Sequence, residues 1–382
     1  MPIQFLDPTL IENPYPHYET WRNEHPIWFD EPTQSYILSR HDDVNAVLKD
    51  AKTYSSSAMG QNGDSRPLPL LTDDPPRHTQ LRGLVNKAFT SRIMKNMEAD
   101  IAGIAEELLA QISPNAHVDI AQQLTIPLPV AVISRMMGIP EERSDDFKRW
   151  SDALTGTLAG VPIEEIQKDV GEMAEFFQSL IPERRKHPGD DLVSGVVNAQ
   201  IDGERLSDAD IVGFNILLLI AGNETTTNLL GNLLNVLAER PDLWATLKQQ
   251  PNLIEASIEE TLRYDSPVQF LMRTPNEPLE FYGQEIKVGE TVTVVTGSAN
   301  RDERFYDKPK DFRLDRNKNR HHAFGYGIHF CIGAPLARLE AKIAMQALTA
   351  RFSGCERANG QDQRVSSHLL RGFEHLWLQF DG

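Results

Sequence analysis

One cysteine in the C-terminal part of the chain lies where a thiolate would be stabilised. Cys331 belongs to Phe324–Gly333, a glycine-containing stretch that leads into a predicted helix over Ala334–Phe352. The dipole and the unpaired N–H groups at a helix N-terminus favour the thiolate, the form of cysteine that binds metals. Gly325 and Gly327 allow backbone conformations and close approaches that a side chain would block. We therefore expect a tight loop that presents the sulfur to a ligand.

Two other interpretations of Cys331 are open from the residues alone. A cysteine outside a disulfide is most often a buried structural residue. A zinc site could instead combine Cys331 with His321, His322 and His329. Structural zinc sites normally use paired ligands such as C-x-x-C, and the sequence contains no such pair. The zinc interpretation also leaves Phe324 and the glycines unexplained.

An acidic residue followed by threonines lies at the centre of the longest predicted helix. The pattern predicts this helix over Asp208–Arg240, with Ser207 as its N-cap and Pro241 ending it. The central residues read Ala221-Gly222-Asn223-Glu224-Thr225-Thr226, and apolar residues flank them on both sides. We therefore expect a helix that is buried nearly all round. Buried polar side chains are costly, so the presence of this acid and these threonines in such a helix suggests a functional role. A solvated polar face is the alternative.

Further charged residues have spacings that place them together on helices. Glu260 and Arg263 are three residues apart and can pair on one face, which by itself usually means a weak surface ion pair. His78 and Arg82 lie one turn apart on another predicted helix. Arg273 follows the Glu260 helix. Each of these residues alone is more often an ordinary surface charge or a hydrogen-bonded core residue.

The elements that must position these residues indicate a mainly helical protein with a minor β region. The long polar stretch Ser55–Pro75 is typical of a binding segment rather than of filler. No linker, repeat or low-complexity segment divides the chain, so we expect residues 1–382 to form a single catalytic domain. The remaining expectations are helices over Pro14–Glu24 and His41–Lys49, strands at Trp28–Phe29 and Tyr36–Leu38, and β structure over Leu279–Ala299. Helices should also dominate Arg77–Gln200, with breaks near Ser113–His117, Gly138–Pro140 and Gly160–Pro162.

Composition narrows the class of protein. The 382 residues carry a net charge of −17, which argues against nucleic acid as a partner. Two cysteines do not make a disulfide framework, and a reducing compartment suits them. The longest apolar stretch, Ile216–Ala221, is too short to span a bilayer, and no signal peptide is visible. We expect a cytoplasmic protein that does not associate with membranes.

Taken together, the motifs resemble those of the cytochrome P-450 family over nearly the whole chain. The Cys331 loop is similar to the family's haem-ligand loop, the Ala221–Thr225 patch to its oxygen-binding groove A-G-x-[DE]-T, and Glu260 and Arg263 to its buried E-x-x-R pair. The resemblance implies the mainly helical P-450 fold, with haem between the long central helix and the cysteine-loop helix. Cys331 would then be the axial ligand of the haem iron.

The resemblance also implies roles for other residues. Thr225 would hydrogen-bond dioxygen or a water beside it, and Glu224 would relay protons. Glu260 and Arg263 would be structural, with Arg313 or Arg316 completing their network, and the sequence does not decide which. The cofactor would be non-covalent haem b, because no C-x-x-C-H occurs. The residues implied to contact it are His78, Arg82, Arg273 and His329 at the propionates, together with Phe324, Gly325, Ala221 and Gly222.

The implied activity is insertion of one oxygen atom of O2 into a C–H bond of a hydrophobic small molecule. The sequence has no G-x-G-x-x-G fingerprint, so electrons would come indirectly from NAD(P)H through a separate ferredoxin or flavodoxin-type protein and its reductase. A peroxide-driven haem enzyme is one alternative, against which Glu224 and Thr225 argue. A haem-based sensor or carrier without turnover is another.

The substrate pocket is the least defined part of the expected site. Two segments should line it, the Ser55–Leu71 loop and the Trp150–Pro162 region. The single residues expected there are Leu217, Ile220, Gln269 and Leu271. These are mostly apolar, which suits a terpenoid, steroid, fatty acid or aromatic ligand about equally.

Overall fold

The computed structural model describes residues 2–57, 68–88, 91–158, 162–201, 204–316 and 320–382, and helices dominate them. The helices are α1 Thr9–Glu12, α2 Tyr15–Glu24, α3 His41–Lys49, α4 Arg77–Ala88, α5 Ser91–Leu109, α6 Pro127–Met136, α7 Ser144–Leu158, α8 Ile163–Lys186, α9 Leu192–Val197, α10 Asp208–Glu239, α11 Pro241–Gln249, α12 Ile254–Tyr264, α13 Thr296–Ala299 and α14 Ala334–Arg351. The strands are β1 Ile27–Asp30, β2 Ser35–Leu38, β3 Tyr54–Ser55, β4 His117–Asp119, β5 Gln200–Ile201, β6 Glu204–Arg205, β7 Leu271–Pro275, β8 Leu279–Phe281, β9 Gln284–Ile286, β10 Thr291–Val294, β11 Gly354–Arg357, β12 Gln363–Arg364, β13 Phe373–His375 and β14 Trp377–Asp381.

Local sequence signals set the ends of the long helix α10, as expected. The Ser207 hydroxyl accepts the N–H of Asp210 at 3.1 Å, which satisfies one of the unpaired donors of the first turn. Pro241 starts the next helix, because a proline lacks the N–H that continuation of α10 would need. At 1.5 Å per residue, α10 is about 48 Å long.

The β structure differs from the expectation at its C-terminal end. Strands β8, β9 and β10 form over Leu279–Val294, with Gly283 and Gly289 at positive φ of 78° and 84° in the turns. Thr296–Ala299 is the short helix α13 instead of strand. The N–H groups of Ala299 and Asn300 donate to the carbonyls of Val295 and Thr296, four residues earlier, which is the pattern of a helix. A Cβ at Gly297 would collide with the side chain of Gln269 in this arrangement. The prediction of strand over these last residues is therefore wrong.

The described chain divides into two compact units. The first contains Met1–Thr79, Glu259–Cys331 and Arg364–Arg371, and its five-stranded sheet has the order β1-β2-β10-β7-β3. Strands β2 and β10 run parallel, and the other neighbours are antiparallel. Successive side chains on a strand point to opposite faces. Ile37 accordingly packs with Trp21 of α2, and Leu38 packs with Val47 of α3.

The second unit contains Gln80–Ile258, Ile332–Gln363 and Gly372–Gly382. Helix α10 is its centre and packs against α6, α7, α8 and α14. Its C-terminal half is buried on every side, and Leu229, Leu233 and Leu237 are among the fully buried residues. Each such leucine contributes about 2 kcal/mol of burial free energy, so the middle of α10 is held on a rigid support. The expected single domain stays a prediction.

Candidate functional site

The cysteine loop is folded back on itself by its main chain. Gly325 and Gly327 have φ of 68° and 72°, the left-handed region that favours glycine. The N–H of Cys331 donates to the carbonyl of Phe324 at 2.9 Å, which closes the loop. At Gly327 a Cβ would lie 2.5 Å from the carbonyl oxygen of Leu48, so no larger residue fits there. The half-buried thiol of Cys331 is thus presented from a loop of fixed shape.

Buried polar side chains of the first unit come together around His329, which lies in the same loop. The His329 and His78 rings are 4.2 Å apart at their centroids. The hydroxyl of Ser56 lies 2.9 Å from Nε2 of His329. His78 and Ser56 are 2% and 1% exposed, so both act in a nearly dry environment. Arg82 lies one turn after His78 on α4.

Arg273 is a buried cation on β7. Burial lowers the pKa of Arg273 to about 10, against the favourable charge of Asp74. Within the described ranges, the hydrogen bond of its guanidinium goes to its own neighbour, the carbonyl of Met272, at 2.7 Å. No carboxylate of these ranges lies within ion-pair distance of it. A buried guanidinium of this kind suits an anionic group brought by a ligand.

The middle of α10 has an accessible face, although the helix is buried from Thr226 to Ala238. Leu217, Ile220, Ala221, Glu224 and Thr225 are half-buried or exposed, and their spacing of three and four places them on a single stripe. We call these five residues the accessible stripe. The Thr225 hydroxyl donates to the carbonyl of Ala221 at 3.0 Å. The expectation of a helix buried nearly all round is therefore wrong at the acid–threonine patch.

Gly222 lies beside this stripe but contacts another helix. A Cβ on Gly222 would lie 3.1 Å from Cδ1 of Ile133 on α6, tighter than an ordinary van der Waals contact. The glycine therefore allows α6 and α10 to approach closely. The lack of a side chain at Gly222 thus serves the packing of the two helices. The small residue that lies on the accessible stripe is its neighbour Ala221.

A buried charge network surrounds Glu260 and identifies the arginine that the sequence left open. Arg263 donates to both carboxylate oxygens of Glu260 at 2.9 and 2.7 Å. Arg316 donates to the same two oxygens at 2.8 and 3.0 Å, with its side chain only 6% exposed. Arg313 gives Glu260 only its main-chain N–H, and its guanidinium pairs at the surface with Asp307 and Asp315. Arg316 therefore completes the network.

The residues expected to line a substrate pocket lie in different environments. Leu217 and Ile220 belong to the accessible stripe, and half-buried Leu271 lies 3.7 Å from the position that a Cβ on Gly325 would occupy. Gln269 is 2% exposed, and its side chain accepts from Tyr18 at 3.1 Å and donates to the carbonyl of Ser266 at 2.6 Å. The oxygen and the nitrogen of this side-chain amide are therefore both hydrogen-bonded within the protein. Residues 58–67 and 159–161 of the two expected pocket segments lie outside the described residues.

Sequence reasoning missed two residues of the polar cluster around His329, namely Ser56 and Asp74. Ser56 contacts Asp74 and His329, and the carbonyl of Asp74 accepts the N–H of His78 at the start of α4. Both residues lie in a stretch noted only as a long polar loop. The contact of Ser56 with His329, a residue 273 positions away, carries no local signal. Asp74 accepts the N–H of Ser56 at 3.0 Å and the hydroxyl of Ser55, so the turn around Ser56 is fixed.

The described residues contain neither a membrane-spanning helix nor a cluster of metal-binding side chains. None of the helices in the described ranges is at once long enough and apolar enough to cross a bilayer. In the same ranges no group of three or more histidine, cysteine, aspartate or glutamate side chains could hold a metal ion. The zinc set of Cys331 with His321, His322 and His329 belongs to these ranges and is not formed.

Comparison with known proteins decides the family. A family model described as Cytochrome P450 matches residues 17–368. The chain belongs to the cytochrome P450 family. The putative cytochrome P450 YjiB of Bacillus subtilis (strain 168) is 40% identical over 351 residues, which are 90% of this chain and 88% of the relative. The predicted family is thereby confirmed, and this cytochrome P450 is a monooxygenase and an oxidoreductase.

Solved structures give the fold. The crystal structure of CYP109E1 from Bacillus megaterium in complex with testosterone is 40% identical with a TM-score of 0.87, covering 96% of this chain and 99% of that one. The cytochrome P450 PksS of the Bacillus subtilis 168 bacillaene polyketide synthase is 36% identical with a TM-score of 0.92, covering 100% of both chains. The prediction of a mainly helical P450 fold with a minor β region is therefore confirmed.

Family membership implies a haem, and the residues of this P450 suit one. A haem has an iron that takes an axial thiolate and two carboxylates that need cations or hydrogen-bond donors when buried. The first unit provides a thiol on a loop of fixed shape. It also provides the buried Arg273 guanidinium, whose hydrogen bond within the described residues goes only to a main-chain carbonyl. Both requirements of the cofactor are met by groups present in the chain.

Proposed function

We propose that this cytochrome P450 inserts one oxygen atom of O2 into a C–H bond of a hydrophobic small molecule. The observation that carries the proposal is the position of Glu224 and Thr225 on the accessible stripe of α10, where an acid and a hydroxyl can meet small molecules. Electrons are proposed to come from NAD(P)H through a separate ferredoxin or flavodoxin-type protein and its reductase. Cytoplasmic location stays a prediction.

The proposed haem contacts follow the resemblance residue by residue. When bound, the haem supplies the reduction of O2 and the transfer of one oxygen atom to carbon. Cys331 is the residue proposed to hold the haem iron, to which its thiolate would give electron density. The proposed propionate partners are Arg273, His78, Arg82 and His329. Phe324 and Gly325 would shape the loop that presents the Cys331 thiolate, and Ala221 and Gly222, as small residues, would leave room for the cofactor.

Glu224 and Thr225 are proposed to deliver protons. Cleavage of the O–O bond requires protons at the reacting oxygen, and a positioned acid supplies them. The Thr225 hydroxyl donates to the Ala221 carbonyl at present, and a turn of its side chain frees the proton for a neighbouring water or O2. The carboxyl of Glu224, half-buried and one residue away, can replace that proton. A peroxide-driven enzyme would not need this pair.

The substrate is proposed to be an apolar molecule about the size of a steroid. Leu217 and Ile220 give the accessible stripe an apolar end, and Leu271 adds a half-buried leucine near the cysteine loop. We leave Gln269 out of the proposed pocket, because both ends of its side-chain amide are bonded to the protein. The CYP109E1 structure was solved with testosterone, and PksS belongs to a polyketide synthase, which supports a bulky apolar substrate.

A spectrum of the reduced protein under carbon monoxide tests the ligand. We expect a strongly red-shifted Soret band in the parent and in Cys355→Ala, which changes the chain's other, buried cysteine, and its loss in Cys331→His. The same band in all three proteins would exclude Cys331. Turnover is then measured with a surrogate ferredoxin system, a steroid and isotopically labelled O2. A haem protein that binds the steroid yet never incorporates the label would be a sensor or carrier.

A further inference from the structure

The hydroxyl of Ser56 has one hydrogen-bond partner within the described residues, the His329 ring. The oxygen lies 2.9 Å from Nε2. Ser56 is 1% exposed, so a hydroxyl proton without an acceptor would be costly there. Donation from Ser56 to Nε2 satisfies that proton. In that arrangement Nε2 is the acceptor, and the proton of a neutral ring lies on Nδ1.

The position of Ser56 is itself fixed by its neighbours. Its N–H donates to Asp74 at 3.0 Å, and the preceding Ser55 pairs with Thr274 in the antiparallel register of β3 and β7. One residue further along this antiparallel register, Ser56 comes next to Arg273, the middle residue of β7. The carboxylate of Asp74 also attracts Arg273 electrostatically. The serine, the arginine and His329 thus belong to one polar group in the first unit.

We propose that Ser56 is a positioning residue for the haem carboxylates, acting through His329. By accepting the Ser56 proton, Nε2 fixes the ring in the tautomer whose Nδ1–H can donate to a carboxylate, next to the Arg273 cation. Groups behind a ligand that set its orientation and tautomer commonly change cofactor affinity by tenfold or more. Neither the family motifs nor local sequence marks Ser56 for this role. The inference rests on the proposed haem chemistry.

The test compares haem loss from holoenzyme variants to a haem-scavenging protein. Ser56→Ala should release haem about five- to tenfold faster, which is the worth of one buried hydrogen bond. Its reduction potential should become more negative, because the carboxylate charge is less neutralised. Ser39→Ala is the matched control, since Ser39 is fully buried and its hydroxyl has no partner within the described residues. It should leave both quantities unchanged.

Haem dimethyl ester, which lacks free carboxylates, distinguishes an effect on the haem carboxylates from a general weakening of haem binding. Loaded with this ester, Ser56→Ala and the parent should lose it at equal rates. Equal rates with normal haem, or a difference that persists with the ester, would overturn the proposal. If Ser56→Ala does not fold, Ser56→Cys, with a similar volume and a weaker donor, replaces it. A parent without the red-shifted band under carbon monoxide would contradict the proposed function, and a parent with the band but no Ser56 effect would contradict only this inference.

Discussion

Replacing Arg316 by methionine should cost far more stability than the same change at Arg313. Arg316 gives two hydrogen bonds to the carboxylate of Glu260, at 2.8 and 3.0 Å, and its side chain is 6% exposed. It also donates to three main-chain carbonyls, those of Asp307, Lys308 and Asp311. Its removal leaves the buried carboxylate with Arg263 as its remaining cation and with the main-chain N–H of Arg313. Breaking a buried ion pair in this way costs about 3–5 kcal/mol of the free energy of unfolding.

Arg313→Met is the matched control, three positions away. The Arg313 side chain is 32% exposed and pairs only with exposed aspartates, and its main-chain N–H to Glu260 survives the substitution. A surface pair of this kind is worth less than about 1 kcal/mol. Urea unfolding followed by circular dichroism, together with the haem content of each purified variant, measures the difference. Equal losses in the two variants would refute the assignment of Arg316 to the network.

Four further substitutions have predicted effects. Gly289→Ala should lower the free energy of unfolding by about 1–2 kcal/mol, because its φ of 84° is left-handed but its surroundings are open. Gly327→Ala should lower it further, because the new Cβ would also meet the Leu48 carbonyl. Chemical denaturation of the two variants measures the difference. Burial alone would raise the pKa of Asp265, but nearby arginine charges outweigh it and lower that pKa. Its contribution is then present at neutral pH and is lost as the pH falls from about 3.9, the unfolded value, through the folded pKa, so Asp265→Asn should destabilise less at pH 3 than at pH 7 in urea titrations. Thr225→Ala should lower product formation by about a hundredfold if proton transfer is lost, with released peroxide rising in a coupled assay; full product yield would argue against the relay.

The elements that local patterns determine were predictable from the sequence. The helix over His41–Lys49 has the expected ends, and Ser207 caps α10 as the sequence indicates, because capping and helical spacing are properties of a few neighbouring residues. The strand predicted through Ala299 fails where Gly297 meets the Gln269 side chain. That contact joins residues from different parts of the chain, and no local pattern reports it.

The candidate site divides in the same way. The motif residues around Cys331, Glu224 and Glu260 could be named from spacing and resemblance. The choice between Arg313 and Arg316 could not, because it depends on which side chain turns inward, and the aspartates beside Arg313 hold it at the surface. Ser56 could not be named either, because its partner His329 is reached only through the fold.

Gly222 and Ala221 have different consequences for anyone who wishes to reshape this enzyme. A larger side chain at Ala221 would extend into the accessible space along α10 and narrow the choice of substrates directly. A larger side chain at Gly222 would press on Ile133 and separate two helices, so its effect would spread through the scaffold. Ala221 is also one of the residues implied to contact the haem, so a substitution there would affect the cofactor as well as the substrate. Libraries that vary substrate preference should therefore keep both small residues and vary Leu217 and Ile220, the apolar end of the accessible stripe.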